Sequence, residues 1–255
     1  MNRKATLLLS AAGVALLASC ASHYSLAGIE RTRILVDSRY DSHPDEEASA
    51  FMAPYKRSVD SLMSPVAGHC AEYMASHRPE SNLSNLFSDI LVWGAAPFNE
   101  KPDFGVYNMG GIRAAFGKGA VTYGDILDAA PFENKICFLT LSGQKVKELF
   151  EQMAARGGEG VSHGVRLVIT PQGKLLSASV GGKPVDPQRS YRIATLDYVA
   201  EGNDGMTAFK SKTHVVSPQG TDANIREFII KYFRAQEAAG KPVDTKEEGR
   251  ITIKP

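Results

Sequence analysis

Apolar residues along this chain change their spacing from every second position to every third or fourth and back, without regular alternation. A doubly wound sheet needs strand and helix to alternate, so this order favours an α+β fold. Strand-type runs occur at 104–107, 136–141, 191–196 and 251–253, and at 165–169 and 175–180, which form a hairpin around Pro171-Gln172-Gly173. Helical spacing occurs in four places. Residues 46–63 carry Phe51, Tyr55, Val59 and Leu62, and 82–93 carry Leu83, Leu86, Phe87, Ile90 and Leu91. Residues 143–153 follow Ser142 as a cap, and 223–236 carry Ile225, Phe228, Ile229, Tyr232 and Phe233. Pro54 is predicted to kink or delay the first helix. Ile34-Leu35-Val36 reads as a first strand within a tether over 20–45, leaving one domain over 46–255.

The N-terminus has its own pattern. Arg3 and Lys4 precede an apolar run over 5–17, closed by Leu17-Ala18-Ser19-Cys20. This order predicts a secretory signal over 1–19, with a run too short for an ordinary membrane span. The last four residues resemble the bacterial lipobox, which implies lipidation at Cys20 and a lipid-anchored, exported protein of the bacterial cell envelope. Cleavage there leaves 255 − 19 = 236 residues, and removal of two of the 29 basic residues gives 27 − 28 = −1. Such a balance gives no reason to expect nucleic acid as a partner. Cys70 and Cys137 remain; an exported compartment permits their pairing, and two buried free thiols are equally compatible.

Three segments are unusual as structure. Asn108-Met109-Gly110-Gly111-Ile112-Arg113 places paired glycines after a strand, where backbone can approach a ligand. Its asparagine suits a base edge and its arginine suits phosphate or carboxylate. Pro131-Phe132-Glu133-Asn134 precedes a strand. Asp197 to Gly205 follows one, with Tyr198 as a flat face and Asp204, bracketed by Gly202 and Gly205, as an acceptor for a diol.

Together with Val121-Thr122-Tyr123-Gly124-Asp125, Leu141-Ser142-Gly143, Tyr191-Arg192-Ile193-Ala194-Thr195 and the opening Glu80-Ser81-Asn82-Leu83-Ser84-Asn85-Leu86, these segments stand in the order of the C-terminal, substrate-binding domain of 5′-nucleotidases, which the chain resembles over roughly residues 50 to 220. The resemblance implies a layered α/β/β/α arrangement. It also implies roles by position: Phe132 and Tyr198 as the nucleobase clamp, and Asn134 as a base contact. Asn108, Gly110, Gly111 and Arg113 form the turn that meets base, ribose or phosphate, and Asp204 holds the ribose hydroxyls. The chain departs from the family at Asn85, where some members have arginine with Arg78 nearby, and at His163 and Asn203, where glycine is common.

In that family a separate metallophosphatase domain holds two metals and activates the attacking water. Asp41-Ser42-His43 is not followed by that domain's further histidine motifs, and the six histidines are scattered singly. No catalytic or metal-binding residue is therefore expected in this chain, nor any cofactor. Divalent metals are expected in a partner metallophosphatase chain, with which this chain would act as the nucleotide-binding subunit. A stand-alone nucleoside- or nucleotide-binding envelope lipoprotein, or a structural one, is the alternative.

Overall fold

The computed structural model describes residues 24–255; the signal-like segment and Cys20 lie outside the described residues. The chain divides into a unit ending at Phe51 and a unit running from Met52 to Pro255. In the first unit, 34–36 is not a strand: these residues have no ladder partner, and Ile34 and Val36 are exposed. A short apolar run becomes a strand only where a neighbour takes its backbone groups. Helix α1 (Glu46–Met63) continues through Pro54 and buries none of its residues. Water can satisfy the carbonyl that proline leaves unbonded, so the expected interruption is absent.

The larger unit is mixed α+β. Strand β1 (Val66–Cys70) leads to helix α2 (Asn82–Trp93), strand β2 (Phe104–Tyr107), strand β3 (Gly119–Thr122) and helix α3 (Tyr123–Ala129). Next come β4 (Ile136–Ser142), α4 (Gly143–Ala155), β5 (Gly160–Val161), β6 (Val165–Ile169), β7 (Leu175–Val180) and β8 (Lys183–Pro184). The chain ends with β9 (Ser190–Leu196), α5 (Asp197–Ala200), β10 (Thr213–Val216), α6 (Ile225–Ala238) and β11 (Ile251–Ile253). Among the described residues, no helix is long and apolar enough to cross a membrane.

A five-stranded sheet runs β10-β4-β9-β2-β5, a four-stranded sheet runs β11-β6-β7-β8, and β1 pairs with β3. Strand directions in the first sheet decide where its loops go. β2 and β9 are parallel, β4 is antiparallel to β9, and β5 is antiparallel to β2. The C-terminal ends of β2 and β9 therefore share one edge with the N-terminal ends of β4 and β5. Every loop at that edge belongs to a segment the sequence marks as unusual, or lies beside one. Helix α2 packs on β2 and β5, while α4 packs on β4 and β9 and also touches β7. Phe87, Phe104, Phe138, Phe150 and Ile193 fill the core between them.

The opening motif of α2 is structural. Ser81 and Ser84 form a reciprocal N-terminal cap, the Asn82 side chain accepts from Ala75 N at 3.1 Å, and Asn85 donates to Glu80 Oε1 at 2.7 Å. Glu80 also accepts from the backbone of Glu248 and Ile251, tying the C-terminal strand to α2. Arg250 completes this tie. Its side chain, only 1% exposed, donates to both oxygens of Asp89 at 2.9 and 2.8 Å and to Val161 O at 2.8 Å. Cys70 and Cys137 are separate buried thiols. Burial pushes them up to about 12 and about 11, with the nearby Asp125 carboxylate adding to the shift at Cys70.

Glu159, immediately before β5, is another buried charge. Its Oε1 accepts from Arg156 Nε at 2.7 Å and from Arg78, and its Oε2 accepts from Met109 N at 2.6 Å. Two substitutions test these hubs by guanidinium denaturation. Arg250→Leu leaves Asp89 and the Val161 carbonyl without their partner and is expected to cost about 3–5 kcal/mol. Glu159→Gln removes a charged acceptor from the Met109 amide and is expected to cost about 1.5–3 kcal/mol, lowering the midpoint without altering the slope.

Candidate functional site

The shared sheet edge carries three loops that meet at a cavity of about 190 Å³, lined by Asn108, Gly110, Gly111, Phe132, Asn134, Tyr198 and Asp204. These are seven of the eight residues singled out from the sequence. Topology explains the convergence: Asn108 follows the C-terminal end of β2, Phe132 and Asn134 precede β4, and Tyr198 and Asp204 follow β9. Within the ladder Ile136 faces Leu196, so the two ring-bearing loops start from adjacent positions.

Asp197 joins those two loops. Its Oδ1 accepts from Lys135 N at 3.1 Å and Tyr198 N at 2.8 Å, and its own amide donates to Lys135 O at 2.9 Å. Asn203 donates to Tyr198 O at 2.7 Å, so the residue standing where glycine is common fastens this loop. Phe132 and Tyr198 remain 47% and 42% exposed. Large aromatic side chains usually bury most of their area, so two half-exposed rings bordering one cavity leave aromatic surface open there.

The polar side of the cavity is built from Asn108 and Asp204. The Asn108 amide donates to Asp204 Oδ2 at 2.6 Å. Asn108 is only 3% exposed, and its Oδ1 is buried without a hydrogen-bond partner. Such an orphaned acceptor costs free energy and marks a place where a donor belongs. Gly111 is required beneath it: a Cβ there would stand 2.9 Å from Asn108 Oδ1 and 3.3 Å from its Cγ. Asp204 has φ +53°, a left-handed conformation that aspartate tolerates better than most residues, and Gly205 follows at φ +73°. Arg156 lies against this turn, with its Nη1 3.8 Å from where a Cβ on Gly205 would stand. Its hydrogen bond to Glu159 is the main reason its guanidinium is held above its ordinary value, with Asp204 adding a smaller contribution.

Arg113 is the exception. Its amide donates to Ala129 O at 2.9 Å, and its guanidinium turns back to Gly110 O at 3.4 Å, outside the cavity lining. Three residues that help hold the site lie outside the segments singled out from the sequence: Glu159, Arg156 and Arg226. Arg226, in the first turn of α6, donates to the carbonyls of Ala130, Pro131 and Phe132. The one sequence sign was its position, since a cation in a first turn opposes the helix dipole.

Among the described residues, no group of three or more His, Cys, Asp or Glu is placed to hold a metal ion. Three histidines instead face single glutamates: His69 with Glu237, His77 with Glu247 and His163 with Glu248. This donor set does not fit a two-metal centre.

Comparison with known proteins bears on the same residues. The family model for the 5′-nucleotidase C-terminal domain matches residues 66–211, more than half of the chain. The silent protein UshA(0) of Salmonella typhimurium is 33% identical over 144 residues, covering 55% of this chain and 26% of that protein. Protein UshA of Escherichia coli is 30% identical over 190 residues, covering 73% of this chain and 34% of that protein. The solved 5′-nucleotidase precursor of Thermus thermophilus superimposes with a TM-score of 0.68 at 24% identity, over 84% of this chain and 45% of that one. The chain thus spans about a quarter to a third of the length of these two curated relatives. Sequence match and fold agree: the chain belongs to the 5′-nucleotidase C-terminal domain family.

Proposed function

We propose that this chain is the nucleotide-binding subunit of a 5′-nucleotidase-type phosphohydrolase, gripping the nucleoside part of its substrate. The observation that carries this reading is one open cavity bordered both by two half-exposed rings and by the Asn108–Asp204 pair. In this reading Phe132 and Tyr198 sandwich the base, each stack contributing about 1–3 kcal/mol. Asp204 accepts from the ribose hydroxyls, while the unpartnered Asn108 Oδ1 and Asn134 meet donors on the ligand. Arg113, on the rim, swings from Gly110 O toward phosphate.

The chemical step is assigned to a separate metallophosphatase chain, whose metals would supply an activated water for attack on phosphorus. This chain's residues bind the nucleoside and present the phosphate, and they transfer no proton. Lipid on Cys20 would anchor the assembly to the bacterial envelope.

Two measurements test the proposal. Calorimetry on the purified chain is expected to show adenosine and AMP binding, with Phe132→Ala and Tyr198→Ala each weakening both about tenfold or more. AMP hydrolysis is expected only when the chain is mixed with its metallophosphatase partner. Binding without any gain on mixing points to a stand-alone nucleotide-binding lipoprotein. No binding at millimolar ligand overturns the nucleoside reading altogether.

A further inference from the structure

The 130–134 loop carries both Phe132 and Asn134, yet its backbone is sparsely held. Ala130 N donates to Ile126 O at its start, and Asn134 O accepts from Ile225 N at its end. Between these anchors Pro131 has no amide proton, and among the described residues the amides of Phe132 and Glu133 have no backbone acceptor. Phe132 itself is half-exposed, so packing does not fix the ring from all sides.

One side chain spans the gap. Arg226 Nη1 lies 3.4 Å from Ala130 O, 3.2 Å from Pro131 O and 3.1 Å from Phe132 O. Its Nη2 pairs with Glu133, whose other oxygen accepts from Asn224 Nδ2 at 3.0 Å. A planar guanidinium offers donors in a fixed fork, so three consecutive carbonyls and the next side chain are curled around one rigid group. The Arg226 side chain is 18% exposed, and it stands on a 14-residue helix rather than on another loop. No ammonium could reproduce the whole set, because it is a point charge with no fork.

We infer that Arg226 is a positioning residue for the nucleobase clamp, fixing the Phe132 loop from the side away from the cavity so that the ring is preset before ligand arrives. The inference rests on the nucleoside reading of the cavity. Presetting a loop raises affinity by removing an ordering cost at binding. The effect falls on ligands that use the ring and spares those that use only the Asn108–Asp204 side.

Adenosine and ribose 5-phosphate are therefore the paired probes. Arg226→Gln is expected to weaken adenosine about tenfold and leave ribose 5-phosphate within about twofold, with faster amide exchange across 131–134. Arg226→Lys is expected to recover part of the adenosine loss while thermal midpoints stay close. Equal loss of both ligands, or an unchanged adenosine affinity, overturns the inference. If the unaltered chain binds neither probe, the nucleoside reading fails by itself. Amide exchange then decides the remaining claim: exchange across 131–134 unaltered in Arg226→Gln overturns the latch, and faster exchange there upholds it.

Discussion

A carboxylate with no exposed surface fixes the polar half of the site. The Glu159 carboxylate stands among two guanidiniums and one backbone amide, and its oxygens leave room for few other arrangements. A buried charge without such partners would cost several kcal/mol, so the positions of Arg78, Arg156 and the Met109 amide are dictated together. The turn over 108–111 is thereby held to the start of β5, and Asn108 is held in turn against Asp204. The approach is close enough to demand glycine: a Cβ on Gly160 would meet Tyr107 O at 2.8 Å. One interaction thus runs from a loop following α4, through a glycine turn after β2, to a carboxylate after β9.

What could be read in the sequence follows the range of the interactions. Helix α2 announces itself by its period, and helix α4 by its period and by Ser142, because a cap and an apolar stripe are local. Strands β6 and β7 likewise need only each other and the turn at Gly173. The seven cavity residues were legible for a different reason: their order along the chain matched a family, and parallel and antiparallel pairing then brings those segments to one edge. Ile34 to Val36 has the composition of a strand and no neighbour to pair with, which composition cannot reveal. Glu159, Arg156 and Arg226 act across 50, 48 and 94 positions, counting from Met109, Asp204 and Phe132, and no local pattern encodes such partners.

Departures from the family pattern also gain a physical account. His163 donates its amide to Asp89 at 2.7 Å and pairs its ring with Glu248, so it serves the C-terminal tie. Glu248 is held below the usual carboxylate range: burial pushes the other way, but the bonds from His163 and Arg250 outweigh it. Asn85 sits buried, its amide donating to Glu80 and to Lys246 O. This chain has thus committed to structure a position that some members give to arginine, which leaves Arg113 on the rim as the cation closest in sequence to the glycine turn.

The two halves of the cavity are built on opposite principles. On the Asn108–Asp204 side, a buried charge and close backbone contacts hold the groups rigidly, and the cost appears as an orphaned oxygen and a left-handed aspartate. On the ring side both rings are half-exposed, and the loops are kept in place by hydrogen bonds to Asp197, Asn203 and Arg226. A base is flat and can be gripped anywhere along its faces, so that side needs only a fixed separation between rings. A ribose diol must meet its acceptor at hydrogen-bond distance, and that side needs fixed atoms. In the proposed nucleoside-binding reading, the division of buried charge and exposed ring matches the tolerance each part of a nucleoside allows.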